Sequence, residues 1–183
     1  PYADENQDAK SAMNKMKRNT HLSKVSAGTF ACMNSTPIRS FQRYSPEIRF
    51  ADIDAVGMVN NAVFLTYFEQ SRIHFFQGIV NKSWNWNDAG MVVARHEINY
   101  MLPVKMNDEM EIWTWMESIG SKSLNAEYEV RVKHTGQWHV AAKAKSVLVA
   151  FDHVNGQSIP WPKSWIRSLE GVGFGRPEGL NTD

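Results

Sequence analysis

At 183 residues, with 43% hydrophobic and 21% charged side chains, the chain has apolar material for one packed core and is too short for two substantial ones. A formal net charge of +1 lacks the basic excess that nucleic-acid binding requires, and the single cysteine, Cys32, excludes an intrachain disulfide framework or a Cys-based zinc site. No apolar run approaches the roughly 20 residues needed to span a bilayer, and none has the flanks of a secretory signal.

Residues 1–43 are rich in Asn, Ser, Lys and Ala, lack sustained periodicity, and are expected to form an N-terminal extension outside the core. The basic stretch from Lys10 to Lys24 leaves organellar import open, although Asp4, Glu5 and Asp8 argue against a targeting peptide. A cytoplasmic protein is the expectation. A domain spanning 44–169 follows, with 170–183 as a C-terminal tail.

Within that domain, Glu47–Asp52 reads as a first strand, and Ile53–Val59, containing Gly57, as a loop. A helix is expected from about Asn61 to Gln77, closed by Gly78. Its apolar residues Val63, Phe64, Tyr67, Phe68, Phe75 and Phe76 cover more than a narrow stripe and ask for burial on most sides. A Trp-rich loop at Ser83–Asp88 leads into segments that alternate with period two, the mark of strands. These are Met91–Tyr100, ended by Pro103; Glu109–Ile119; a third with Leu124, Ala126, Tyr128, Val130 and Val132 on one face; and Trp138–Phe151. The turn His134-Thr135-Gly136-Gln137 joins the last two, and Pro162–Leu169 reads as a short terminal helix with Pro in its first turn. One antiparallel sheet wrapped around one long helix accounts for this order as an α+β fold.

The chemistry concentrates in Arg49-Phe50-Ala51-Asp52-Ile53-Asp54-Ala55-Val56-Gly57-Met58-Val59-Asn60-Asn61, where two carboxylates and a glycine loop precede a helix N-terminus. Unpaired amides at such a terminus can polarise a carbonyl and stabilise the oxyanion that grows on it. A carboxylate beside them can deprotonate water or attack the carbonyl. Gly57 lets the backbone turn tightly and come close to a substrate. The same residues have a plainer use, because Asp before a helix is more often a cap or turn residue than a catalyst, and Asn60 and Asn61 are good N-caps.

The run from Asp54 to Phe64, followed by Tyr67-Phe68-Glu69 and Arg72, resembles the signature of the 4-hydroxybenzoyl-CoA thioesterase-like hotdog family. It is most similar to the acyl-CoA and acyl-carrier-protein thioesterase branch. Glu97-Ile98-Asn99-Tyr100, Pro103-Val104, Asp108-Glu109 and Gly120 with Ser123 resemble the family's later strands, so the likeness extends over about Tyr44 to Phe151. It implies a five-stranded hotdog sheet, thioester hydrolysis without metal or other cofactor, and a homodimer or homotetramer whose site lies between subunits. It also implies roles: Asp54 as general base or nucleophile, and the amide near Asn61 as the donor to the thioester carbonyl, with Gly57 and Asn60 in the same loop. Asp52 falls at a position often acidic without being the catalyst. Met58 departs from the His common there, which puts a His-assisted step in doubt.

Glu69 and Arg72 lie three apart on the helix and can pair as neighbours. His74, His96, His134, His139 and His153 show no metal-ligand spacing and are assigned to neither metal nor catalysis. Three rivals stand beside the hydrolase. A non-catalytic hotdog protein that binds or senses acyl thioesters would not need Asp54. A dehydratase on the same fold would need a His poised with a carboxylate, and a purely structural module leaves the Asp-to-Asn-Asn loop unexplained. In Glu109–Ile119, Met110, Ile112, Thr114 and Met116 suit packing on the helix, while Trp113 and Trp115 form a mixed outer face on which dimers could pack into a tetramer.

Overall fold

A computed structural model of the chain describes residues 41–79 and 90–177. The alternation of the later segments forms strands β2 (Gly90–Tyr100), β3 (Glu109–Ile119), β4 (Ser123–His134) and β5 (Gln137–Asp152). A three-residue strand β1 (Gln42–Tyr44) and a two-residue strand β6 (Gln157–Ser158) complete one antiparallel sheet. Its order is β1-β3-β4-β5-β2, with β6 on β5. Among the described residues two α-helices accompany it, α1 (Val63–Ile79) and α2 (Lys163–Val172). The β4–β5 hairpin closes on Thr135 and Gly136, both at positive φ (50° and 83°), the backbone that matches the right-handed twist of the paired strands.

This is the hotdog arrangement. Leu124, Ala126, Tyr128, Val130 and Val132 of β4 are all buried on the face that receives α1. From α1 the sheet receives Phe64, Tyr67, Phe68, Ser71, Arg72, Phe75 and Phe76, a spacing of three and four that brings them onto one face. The seat is specific as well as apolar. Ser71 Oγ and Thr114 Oγ1 lie 2.6 Å apart, and the Phe68 and Tyr128 rings are 4.8 Å apart. Removing a fully buried ring such as Phe68 by substitution with Ala is expected to cost about 3–5 kcal/mol.

Several expectations are corrected. Glu47–Asp52 is not a strand: Phe50–Asp52 forms a 3-10 turn, and the first strand lies earlier, at 42–44. Side-chain chemistry decides this, because Asp52 reaches back to the Arg49 amide and guanidinium and closes the turn. The long helix begins at Val63 rather than Asn61 and runs through Gly78, which therefore does not end it. Burial is confined to one face of that helix, leaving Leu65 and Ile73 42% and 37% exposed. Arg72 does not pair with Glu69. It turns inward, 7% exposed, and its Nη1 donates to the Tyr128 hydroxyl at 3.3 Å, while Glu69 stays at the surface.

Nor is the Trp face of β3 open. Past the end of β1 the chain after α2 takes up the β3 edge, with the Gly175 amide donating to Met116 O, and Trp115 is 2% exposed. Arg176 lies over the Trp115 ring and pairs with buried Glu129, which also pairs with Arg131. Trp113 is stacked with Phe41 and flanked by the guanidinium groups of Arg43 and Arg131. Trp115 is thus buried within the chain, and Trp113 is half-buried. The Trp-rich loop and nearly all of the expected N-terminal extension fall outside the described residues.

Candidate active site

Two acidic residues separated by one position have entirely different surroundings. Asp52 is 2% exposed. Its Oδ2 accepts from the Arg49 amide (2.9 Å) and the Tyr67 hydroxyl (2.8 Å), and its Oδ1 from Arg49 Nη2 (2.8 Å). Hydrogen bonding from the Arg49 side chain, acting against desolvation, pulls the Asp52 carboxyl down to about 2. Burial, reinforced by the Asp52 charge, pushes the Tyr67 phenol well above its usual value. Asp52 is a fixed anion that ties the 3-10 turn to the second turn of α1.

Asp54 instead heads a tight turn. Its Oδ1 accepts from the Val56 amide (2.9 Å) and the Met58 amide (3.2 Å), and its own amide donates to Met58 O (2.7 Å). The Gly57 amide donates to Asp54 O at 3.0 Å, and Gly57 sits at φ +82°, where an L side chain would be strained. Asp54 Oδ2 has no hydrogen bond among the described residues. One oxygen of the carboxylate is therefore anchored by backbone amides while the other is left for something else.

The chain then passes into α1 through a run of engaged amides. Val59 N–H donates to Val104 O, Asn60 N–H to Asp52 O, Ala62 N–H to Asn60 Oδ1 and Val63 N–H to Asn60 O. Asn60 thus closes the turn that leads into α1, its Oδ1 on the Ala62 amide and its carbonyl on the Val63 amide. Asn61 N–H, in the middle of this run, has no acceptor among the described residues. Asn61 lines the same open cleft of about 310 Å³ as Asp54, Met58 and Phe64, together with Tyr100 and the segment 101–104.

The structure thus brings Asp54 and Asn61 to one cleft, with Asn60 closing the turn into α1 and Gly57 turning the backbone between them. Met58 occupies the cleft wall, and among the described residues no histidine lines it. His96 faces the sheet interior, bonded to Ser146 at 2.7 Å, and burial, aided by the Arg72 charge, lowers its pKa. Among the described residues no group of His, Cys, Asp and Glu is arranged to hold a metal ion, and no helix is long and apolar enough to cross a membrane. Sequence reasoning missed Tyr100 and the wall at 101–104. Tyr100 lies on the same face of β2 as Ile98 and His96, and that alternation was the one available signal.

An antiparallel sheet seated on one helix is the fold of the hotdog thioester hydrolases, and comparison with known proteins places this chain among them. The chain belongs to the Thioesterase-like superfamily, whose family model matches residues 48–169. It is 32% identical over 114 residues to the uncharacterized protein YsmA of Bacillus subtilis (strain 168), covering 62% of this chain and 75% of that one. A thioesterase from Thermus thermophilus, solved with coenzyme A and zinc, superimposes with a TM-score of 0.62 at 35% identity, covering 74% of this chain and 95% of the other. A 4-hydroxybenzoyl-CoA thioesterase solved with 4-hydroxybenzoyl-CoA shares the fold alone, with a TM-score of 0.64 at 14% identity over 70% of this chain and 98% of that one.

Proposed function

We propose that the protein hydrolyses acyl-CoA thioesters, with Asp54 as general base or nucleophile and the Asn61 amide as donor to the thioester carbonyl. One observation carries this reading: at a single cleft, a carboxylate anchored through one oxygen lies with a backbone amide that has no acceptor among the described residues. Either the carboxylate takes a proton from water as the water oxygen bonds to the carbonyl carbon, or it attacks that carbon itself and water later cleaves the acyl-enzyme. In both routes the oxyanion grows where the Asn61 N–H can meet it, the C–S bond breaks, and the thiolate leaves and is protonated. Met58 can donate no proton, which suits a thiolate because it departs without acid assistance.

Coenzyme A as the carrier is supported by the Thermus thioesterase solved with it, and a carrier-protein arm is the competing carrier. A panel of acyl-CoA and acyl-carrier-protein substrates, read by thiol release, tests this. Hydrolysis of carrier-protein thioesters alone would overturn the choice of coenzyme A, and no release from any member would overturn the activity.

The subunit arrangement belongs to the same reading. Strand β2 is an edge of the sheet, and Leu65 and Ile73 on α1, with Met58, Tyr100, Met101 and Leu102 around the cleft, are apolar or aromatic and exposed. An eleven-residue edge strand beside such a surface is a place where chains pair. The protein is proposed to be a homodimer with Asp54 near the subunit boundary.

A further inference from the structure

The peptide between Asn61 and Ala62 is held at both of its polar ends. Its carbonyl oxygen accepts from the Tyr100 hydroxyl at 2.9 Å, and its N–H donates to Asn60 Oδ1 at 2.9 Å. The preceding peptide is held only through its carbonyl, Asn60 O, which accepts from Val63 N–H at 2.9 Å. The Asn61 N–H at its other end has no acceptor among the described residues, while the Val59, Asn60, Ala62 and Val63 amides all have one. An unused donor in a run of used ones, on a residue that lines one cleft with a carboxylate, is available to a ligand oxygen.

Tyr100 reaches this peptide from the sheet. It is the last residue of β2, paired in register with Ala142 of β5, and its ring stands edge-on to Phe64 at 5.1 Å. The hydroxyl is therefore a fixed point belonging to the sheet, and it sets where the first turn of α1 sits relative to the cleft. Partial burial of this half-exposed side chain raises the phenol's pKa, so the hydroxyl remains a donor at neutral and mildly alkaline pH.

Resting on the hydrolase reading above, we propose that Tyr100 is a positioning residue for thioester hydrolysis: its hydroxyl fixes the Asn61–Ala62 peptide so that the Asn61 N–H is presented to the substrate carbonyl. A donor that is in place before charge develops needs no reorganisation when the oxyanion forms, and one that can wander loses that advantage. A bond that merely tied strand to helix would contribute to stability and leave turnover alone.

Tyr100→Phe keeps the ring against Phe64 and removes only the oxygen. With hexanoyl-CoA and benzoyl-CoA as probes, kcat is expected to fall about 10-fold or more, with KM nearly unchanged and the variant folded. Nitrogen-15 relaxation without substrate should show a loss of backbone order confined to Asn61 and Ala62. Asn60→Gly removes the other anchor, and it should give the same pattern. Unchanged kcat, or wild-type order at Asn61 and Ala62, overturns the proposal. Asp54→Asn measured alongside separates the two readings. If it loses turnover while Tyr100→Phe does not, the positioning role fails and the hydrolase mechanism stands. If Asp54→Asn turns over like wild type, the mechanism fails, and the relaxation data still decide whether Tyr100 holds the peptide.

Discussion

Asp52 and Asp54 divide two tasks between neighbouring positions of one sequence motif. The Asp52 carboxylate is taken up by Arg49 and Tyr67, whereas Asp54 spends one oxygen on the Val56 and Met58 amides and keeps the other. A carboxylate with both oxygens engaged holds structure. One with a spare oxygen on a cleft can do chemistry.

Asp54→Asn is accordingly expected to fold normally and to lose at least about 100-fold in thioester hydrolysis, the scale of removing a general base or nucleophile. The amide oxygen of Asn can still accept from Val56 and Met58, so the turn should survive. Thiol release by a variant with a native circular dichroism spectrum measures this. Wild-type turnover would sink the assignment.

Asp52→Asn should act on stability, and in a pH-dependent way. The folded-state pKa is lowered from 3.8 to about 2, so the contribution of the ionised group is complete above about pH 4 and is lost as pH falls through about 2. Arg49 is more than half exposed, and solvent screening of that partner brings the contribution to the order of 1 kcal/mol. Urea melts at pH 6 and pH 2.5 should show wild type weakening with acid and Asp52→Asn changing less, with the variant keeping most of its turnover. If Asp52→Asn damaged turnover more than Asp54→Asn, the two roles would have to be exchanged.

Gly57→Ala tests the turn that carries Asp54. A Cβ there meets nothing within 4 Å, so any cost comes from the backbone at φ +82° and not from crowding. Destabilisation of about 1 kcal/mol is expected, with a fall in kcat as the Asp54 turn relaxes. An unchanged melting temperature would show that the positive φ costs nothing here.

Strands β3, β4 and β5 were legible because alternation over 11 to 16 residues outweighs local accident. The Asp54-to-Asn61 loop was legible through its resemblance to a family. The opening of the fold was not. Strand β1 is three residues, Gln-Arg-Tyr, too short for a period to show, and it exists because β3 offers it an edge. The 3-10 turn at 50–52 depends on a side chain reaching back to Arg49, which no periodicity encodes. The helix suggested burial on most sides because Val63, Phe64, Tyr67, Phe68, Phe75 and Phe76 cover more than a narrow stripe, and one chain's structure leaves Leu65 and Ile73 partly exposed. Tyr100 could not be placed beforehand, since its bond to Asn61 O joins residues 39 apart.

Those exposed residues lead to the assembly prediction. Leu65 and Ile73 lie outside the buried row of α1, Leu65 on its flank and Ile73 roughly opposite it, and both stay partly exposed, 42% and 37%. Solvent would leave their apolar area wet, whereas a second copy would cover it together with the edge of β2. Light scattering at micromolar concentration is expected to give about twice the 20.9 kDa of the chain. Leu65→Arg would put a charge into that contact. It should shift the protein toward monomer while leaving the monomer folded, and activity should fall with dissociation if the cleft is completed by the neighbouring subunit. An active species of monomer mass in the wild type would defeat the proposal, as would a Leu65→Arg variant that remains a fully active dimer at nanomolar concentration.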